Sequence, residues 1–84
     1  MAAIQYKIGT TEYSIWRIGL THDLDERKRY WRDTEKLNIN YWSDWTAASL
    51  SDAQDIEAHF IAKGMQGGTG GNLSSNKTVY VYVF

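Results

Sequence analysis

Cysteine and proline are both missing from this chain of 84 residues. Without cysteine there are no disulfide staples, no thiolate zinc ligands and no thiol nucleophile. The two histidines, His22 and His59, are far apart in sequence, so a structural zinc site is not expected. Long apolar runs are missing as well. No stretch reaches the roughly 20 residues that a membrane span needs, and MAAIQYKIGT lacks the apolar centre of a signal peptide. The expectation is a cytoplasmic protein with no membrane partner. An excess of one charge is also absent, because the formal net charge is −1. That balance argues against strong non-specific nucleic-acid binding. It leaves room for a local basic patch, since seven of the nine lysines and arginines precede residue 38.

Aromatic residues are plentiful, with four Trp, six Tyr and two Phe. Each buries a large area, so a short chain can still fill a core. The length predicts a single domain over residues 1–84. Residues 2–8 alternate Ala2, Ile4, Tyr6 and Ile8 against Ala3, Gln5 and Lys7, which predicts a half-buried strand. Gly9 to Glu12 is a turn candidate, and Tyr13 to Ile18 reads as the partner strand of a hairpin. Gly19 ends that strand. Thr21 or Asp23 is placed to cap a helix whose first turn carries Asp25 and Glu26. Leu24, Lys28 and Trp31 form a stripe on this helix, flanked by Arg27 and Tyr30, and Lys28, Arg29 and Arg32 add charge around it.

Leu37 to Trp45 alternates and predicts a third strand. A second helix is expected from Ser51, with Gln54 in capping-box register and Gly64 as its stop. GMQGGTGGNLSSN, residues 64–76, reads as a long loop without the Lys-Ser/Thr of a phosphate-binding P-loop. TVYVYVF, residues 78–84, is the strongest strand signal in the chain. An uncharged strand of this kind belongs in the interior of a sheet or against a second copy of the chain. The resulting order, β-β-α-β-α-β, predicts an α+β fold: a small, mainly antiparallel sheet flanked by two helices.

Glu57 is the most informative single placement. It falls inside the apolar stripe Ala53, Ile56, Phe60 and Ile61, whereas Asp52, Asp55 and His59 occupy the wet face. A carboxylate among core residues is paired, hydrogen-bonded, metal-bound or neutral; the plainer alternative is a helix-edge glutamate reaching solvent or Arg27. Tyr6, Arg17, Arg27, Glu57 and Asn72 each come from a different segment and sit on or beside apolar positions. An arginine for a phosphate, a carboxylate for a divalent ion and a tyrosine for a proton would suffice for phosphodiester hydrolysis.

The run Ile18-Gly19-Leu20-Thr21-His22-Asp23-Leu24-Asp25-Glu26-Arg27 resembles the IGxTxDLxxR stretch of GIY-YIG nucleases, which leads from the second signature strand into the arginine helix. SDAQDIEAHFIAKG, residues 51–64, resembles the helix that carries the metal-binding glutamate, with Glu57 at the matching place. Tyr6 falls near the tyrosine of the first signature strand, and Asn72 at the distance of a late asparagine. The resemblance implies a DNA endonuclease using Mg²⁺ or Mn²⁺, with Tyr6, Arg27 and Glu57 catalytic and Glu57 the metal ligand. Arg17, Lys28, Arg32 and Asn72 would then contact DNA. Four departures accompany it: Tyr30 and Trp31 occupy the region where a histidine often follows the arginine, the terminal strand TVYVYVF is extra to the minimal pattern, and both signature triplets are altered. The first triplet reads Ile4-Gln5-Tyr6, and the second reads Arg17-Ile18-Gly19, with arginine in place of tyrosine. The alternative expectation is a non-catalytic module of the same fold that binds nucleic acid, or a protein or second copy through the C-terminal strand.

Overall fold

The computed structural model describes residues 2–67 and 73–84. Its centre is a four-stranded mixed sheet in the order β2-β4-β1-β3. The strands are β1 (Arg17–Thr21), β2 (Ser43–Thr46), β3 (Gln66–Gly67) and β4 (Tyr80–Val83). β4 runs antiparallel to both β1 and β2, and β3 pairs parallel to β1. Three helices accompany the sheet: α1 (Ala2–Ile8), α2 (Leu24–Arg29) and α3 (Leu50–Ala62). The α+β class and the mainly antiparallel sheet are as expected. The element order and the number of helices are not.

The first correction is at the N-terminus, where the expected strand over residues 2–8 is α1. Positions four apart share a face on a helix, and they also share parity in a strand. Ile4 and Ile8 satisfy both patterns and are both buried, but Tyr6 between them is 91% exposed, as only a helix allows. Gly9 closes the helix with φ +60°, its N–H donating to the Gln5 carbonyl at 2.9 Å. No hairpin therefore forms between residues 2–8 and 13–18. Tyr13–Ile15 is a 3₁₀ turn, and β1 begins only at Arg17.

The place beside β1 that the hairpin would have filled belongs to β4. Ile18 faces Val83, Gly19 faces Tyr82 and Leu20 faces Val81. Both edges of β4 are thus paired. This fits the interior position expected for it and removes its edge as a route to a homodimer or a protein partner. One face of the sheet, carrying Ile18, Leu20, Val81 and Val83, packs with Ile4, Ile8, Ala53 and Phe60 in a single buried cluster. The other face carries Gly19, Asp44 and Tyr82.

Three smaller differences have local causes. The third strand is confined to Ser43–Thr46, because Asn38 takes the Asn40 N–H on its side chain at 2.8 Å and Trp42 N–H turns back to Ile39 at 3.1 Å. α3 is capped by Ser49, not Ser51: the Ser49 hydroxyl accepts from Asp52 N–H at 3.0 Å. β3 lies inside the glycine-rich segment read as loop. At Gly67 a side chain would run into Ile61 Cγ1, so glycine there lets α3 cross close to the edge strand. Among the described residues no helix is long and apolar enough to cross a membrane.

Candidate active site

The site is built outward from Gly19. Lacking a side chain, Gly19 lets the ring of its cross-strand partner Tyr82 lie directly over its Cα; a methyl there would overlap Tyr82 Oη and Cζ. The ring is held flat by Trp42, stacked on it at 4.5 Å between centroids and 10° between planes. Trp31 fixes its far end, with the indole N–H donating to the Tyr82 hydroxyl at 2.9 Å. That bond uses the phenol oxygen as an acceptor and leaves its own proton free for another partner.

Trp31 reaches this position because α2 does not end at Arg29. It continues as a π-helical turn over Tyr30–Thr34, with Glu35 N–H bonded to the Tyr30 carbonyl at 3.1 Å. Lys36, with φ +58°, terminates the turn. At the other end of α2, the Asp23 side chain caps Glu26 N–H at 3.1 Å, so Asp23 and not Thr21 is the cap. His22 holds the neighbouring return segment. Ser74 N–H donates to its Nε2 at 2.8 Å, so Nδ1 carries the proton and donates to the Thr78 carbonyl, also at 2.8 Å.

Three charged side chains act on the Tyr82 phenol. Arg17 lies with its guanidinium 4.8 Å from the centre of the Trp31 ring and is held by Gln66, whose Oε1 accepts from Nη2 at 3.0 Å. Arg27 lies 5.0 Å from the Tyr30 ring centre, and Tyr30 in turn donates to Glu35 at 2.7 Å. Neither arginine forms an ion pair among the described residues. Glu57 is half-buried, and one of its carboxylate oxygens is shielded from solvent with no hydrogen-bond donor among the described residues. Desolvation pushes the Glu57 carboxyl above its ordinary pKa.

The electrostatics of Tyr82 report all of these neighbours at once. Burial raises its phenol above the ordinary value. The Trp31 hydrogen bond and the charge of Arg27 lower it, Glu57 raises it, and Arg17 lowers it. The balance is upward, so the neutral phenol is the resting species near neutral pH.

Of the residues expected to act together, Arg17, Arg27 and Glu57 each act on the Tyr82 phenol, whereas Glu57 itself is shifted by burial alone and not by either arginine. Tyr6 does not join them: it lies on α1, on a helix that packs against the opposite face of the sheet. Lys28 leans toward β2, with its ammonium 5.6 Å from the Trp42 ring centre and 3.9 Å from Asp44. Arg32 is engaged by its neighbour Asp33 at 2.8 Å. Asn72 lies outside the described residues. Tyr30 and Trp31 lie on the basic helix, where interleaved aromatics suit nucleic-acid binding, but nothing local in the sequence points to Tyr82. Once β4 is known to pair with β1, a tyrosine opposite a glycine is the signal for Tyr82. Compared with protein-family models, with curated proteins and with solved structures, the chain matches none.

Proposed function

We propose that the chain is a divalent-metal-dependent nuclease that hydrolyses DNA phosphodiester bonds at the cluster of Arg17, Arg27, Glu57 and Tyr82. One observation carries this reading: a half-buried carboxylate has no hydrogen-bond donor among the described residues, and two arginines free of ion pairs there are braced on Trp31 and Tyr30 beside the Tyr82 hydroxyl. A fold does not leave an acidic oxygen shielded and unsatisfied without cost, and a bound cation would remove that cost. No group of three or more acidic or histidine ligands occurs among the described residues. A single carboxylate still suits Mg²⁺, which keeps most of its waters and takes few protein ligands. Glu57 would hold the ion, and the ion when bound would polarise a phosphoryl oxygen and acidify a water.

The remaining chemistry belongs to the side chains. Arg27 and Arg17 supply fixed positive charge for the non-bridging oxygens of a phosphate, where charge accumulates during hydrolysis. Both guanidinium groups are braced against aromatic rings, so they need little reordering to do so. Tyr82 is neutral at rest and has its proton free, which suits it to orient a water or to pass a proton to a departing oxygen. Trp31 positions Tyr82 and does not touch the substrate in this scheme. The non-catalytic alternative keeps the same cations and aromatics, and the test separates the two.

Incubation of supercoiled plasmid with the protein in Mg²⁺ or Mn²⁺ is expected to produce nicked circles, and chelator is expected to stop it. Arg27→Ala, checked for folding by circular dichroism, should slow nicking by about 10²–10³-fold. A folded wild type that cuts no DNA in either metal, yet retards it on a gel, would replace the nuclease with the binding module.

A further inference from the structure

Beside the cluster lies a cleft of about 190 Å³ lined by Ile15, Arg17, Leu37, Asn38, Gln66 and Phe84. Its composition is divided. Ile15, Leu37 and Phe84 make it apolar, and Ile15 is left 66% exposed. Arg17 brings a cation with no carboxylate partner among the described residues. Gln66 is committed at both ends, accepting from Arg17 and donating to the Ser14 carbonyl at 3.0 Å, so it braces the arginine. The Asn38 oxygen takes the Asn40 N–H, which leaves the carboxamide NH₂ without an acceptor among the described residues. Phe84 is itself backed by Trp42 at 5.2 Å and Trp31 at 5.4 Å, so this part of the lining is rigid.

A ligand that complements such a cleft is flat, largely apolar, edged with hydrogen-bond acceptors and attached to an anion. The volume lies below the roughly 300–1,000 Å³ of sites for drug-sized ligands, so it suits a single ring system. Arg17 lines this cleft and also lies over the Trp31 ring, whose N–H is bonded to the Tyr82 hydroxyl. A phosphate held by Arg17 and Arg27 would therefore carry its own sugar and base to the cleft mouth. We infer that the cleft seats one unpaired nucleobase next to the phosphate held by the arginines, which makes the substrate single-stranded or locally unpaired nucleic acid and not intact duplex. Aromatic and apolar walls beside a backbone-binding cation are how proteins hold splayed bases. The inference rests on the nucleic-acid reading above but not on cleavage.

The test is carried out in chelator, where no metal-dependent cutting occurs. Amide ¹H–¹⁵N spectra of the full chain are recorded with adenosine 5′-monophosphate, ribose 5-phosphate or inorganic phosphate at low salt. The amides of Leu37, Asn38 and Phe84 are expected to shift with the nucleotide and not with the two base-free anions. Ile15→Glu, at an exposed position that should not disturb folding, is expected to weaken binding of a short single-stranded oligonucleotide by about tenfold. Binding of a duplex of the same sequence should change far less. Absence of base-dependent shifts at those amides, or equal binding of single strand and duplex that Ile15→Glu leaves unchanged, overturns the inference. Base-dependent shifts from a protein that never nicks plasmid would retain the cleft and remove the nuclease.

Discussion

Glu57→Gln is expected to make the protein more stable and catalytically inert. Glutamine keeps the size of the side chain and removes the charge that burial disfavours. The sign follows from linkage. The folded protein holds the Glu57 carboxyl above its unfolded value of about 4.3, so the unfolded chain loses the proton first as pH rises. The wild-type fold therefore loses stability from just above that value until the folded carboxyl has also ionised, and the loss then levels off. Thermal melts of the two proteins without metal should coincide near pH 4 and separate toward pH 7, where the variant should melt a few degrees higher. Mg²⁺ should reverse the order by giving the wild-type carboxylate a partner, and it should leave the variant unmoved. Cleavage by the variant should fall by at least about a thousandfold, the kinetic equivalent of the several kcal/mol that a catalytic ion supplies. A variant less stable than wild type at pH 7 without metal would mean that Glu57 is a structural residue with a partner.

Gly19→Ala is the second large effect, and it acts through Tyr82. Gly19 has no unusual backbone angle; its need is purely for space, since Tyr82 Cε2 would lie 2.9 Å from an added Cβ, and the ring carbon Cζ and the hydroxyl oxygen closer still. The ring has nowhere to retreat, with Trp42 stacked on it and Trp31 bonded to its hydroxyl. Overpacking of this kind costs about 1–3 kcal/mol, roughly 4–20 °C in Tm for a domain of this length. It should also displace the hydroxyl and abolish cleavage in whatever protein remains folded. In a Tyr82→Leu background the alanine should cost far less, and this non-additivity assigns the effect to the ring. Equal costs in both backgrounds would place the clash elsewhere.

What could be read from the sequence follows the physics of each signal. The arginine helix was legible because Asp23, Asp25 and Glu26 mark its start and the stripe of Leu24, Lys28 and Trp31 its inner side. Glu57 was legible because 3.6-residue periodicity puts it among core positions. α1 was not, because Ile4 and Ile8 satisfy helix and strand alike and only the exposure of Tyr6 separates the two. Strand pairing was the deeper gap. TVYVYVF announces a strand, but nothing local says that its neighbour is β1, some 60 residues earlier. Sequence proximity therefore points to Tyr6, in the adjacent segment, whereas the tyrosine over Gly19 is Tyr82. The π-helical turn that aims Trp31 has no sequence signature either.

The most direct test is a side-by-side measurement of Mg²⁺-dependent cleavage by wild type, Tyr82→Phe and Tyr6→Phe under single-turnover conditions. Each phenylalanine keeps the ring and removes only the hydroxyl, so stacking on Trp42 and helix α1 should persist. Loss of the Tyr82 hydroxyl is predicted to slow cleavage by at least about a hundredfold, and Tyr6→Phe is predicted to cut at the wild-type rate. Full activity of Tyr82→Phe, with or without a defect in Tyr6→Phe, would contradict a site built on the C-terminal strand.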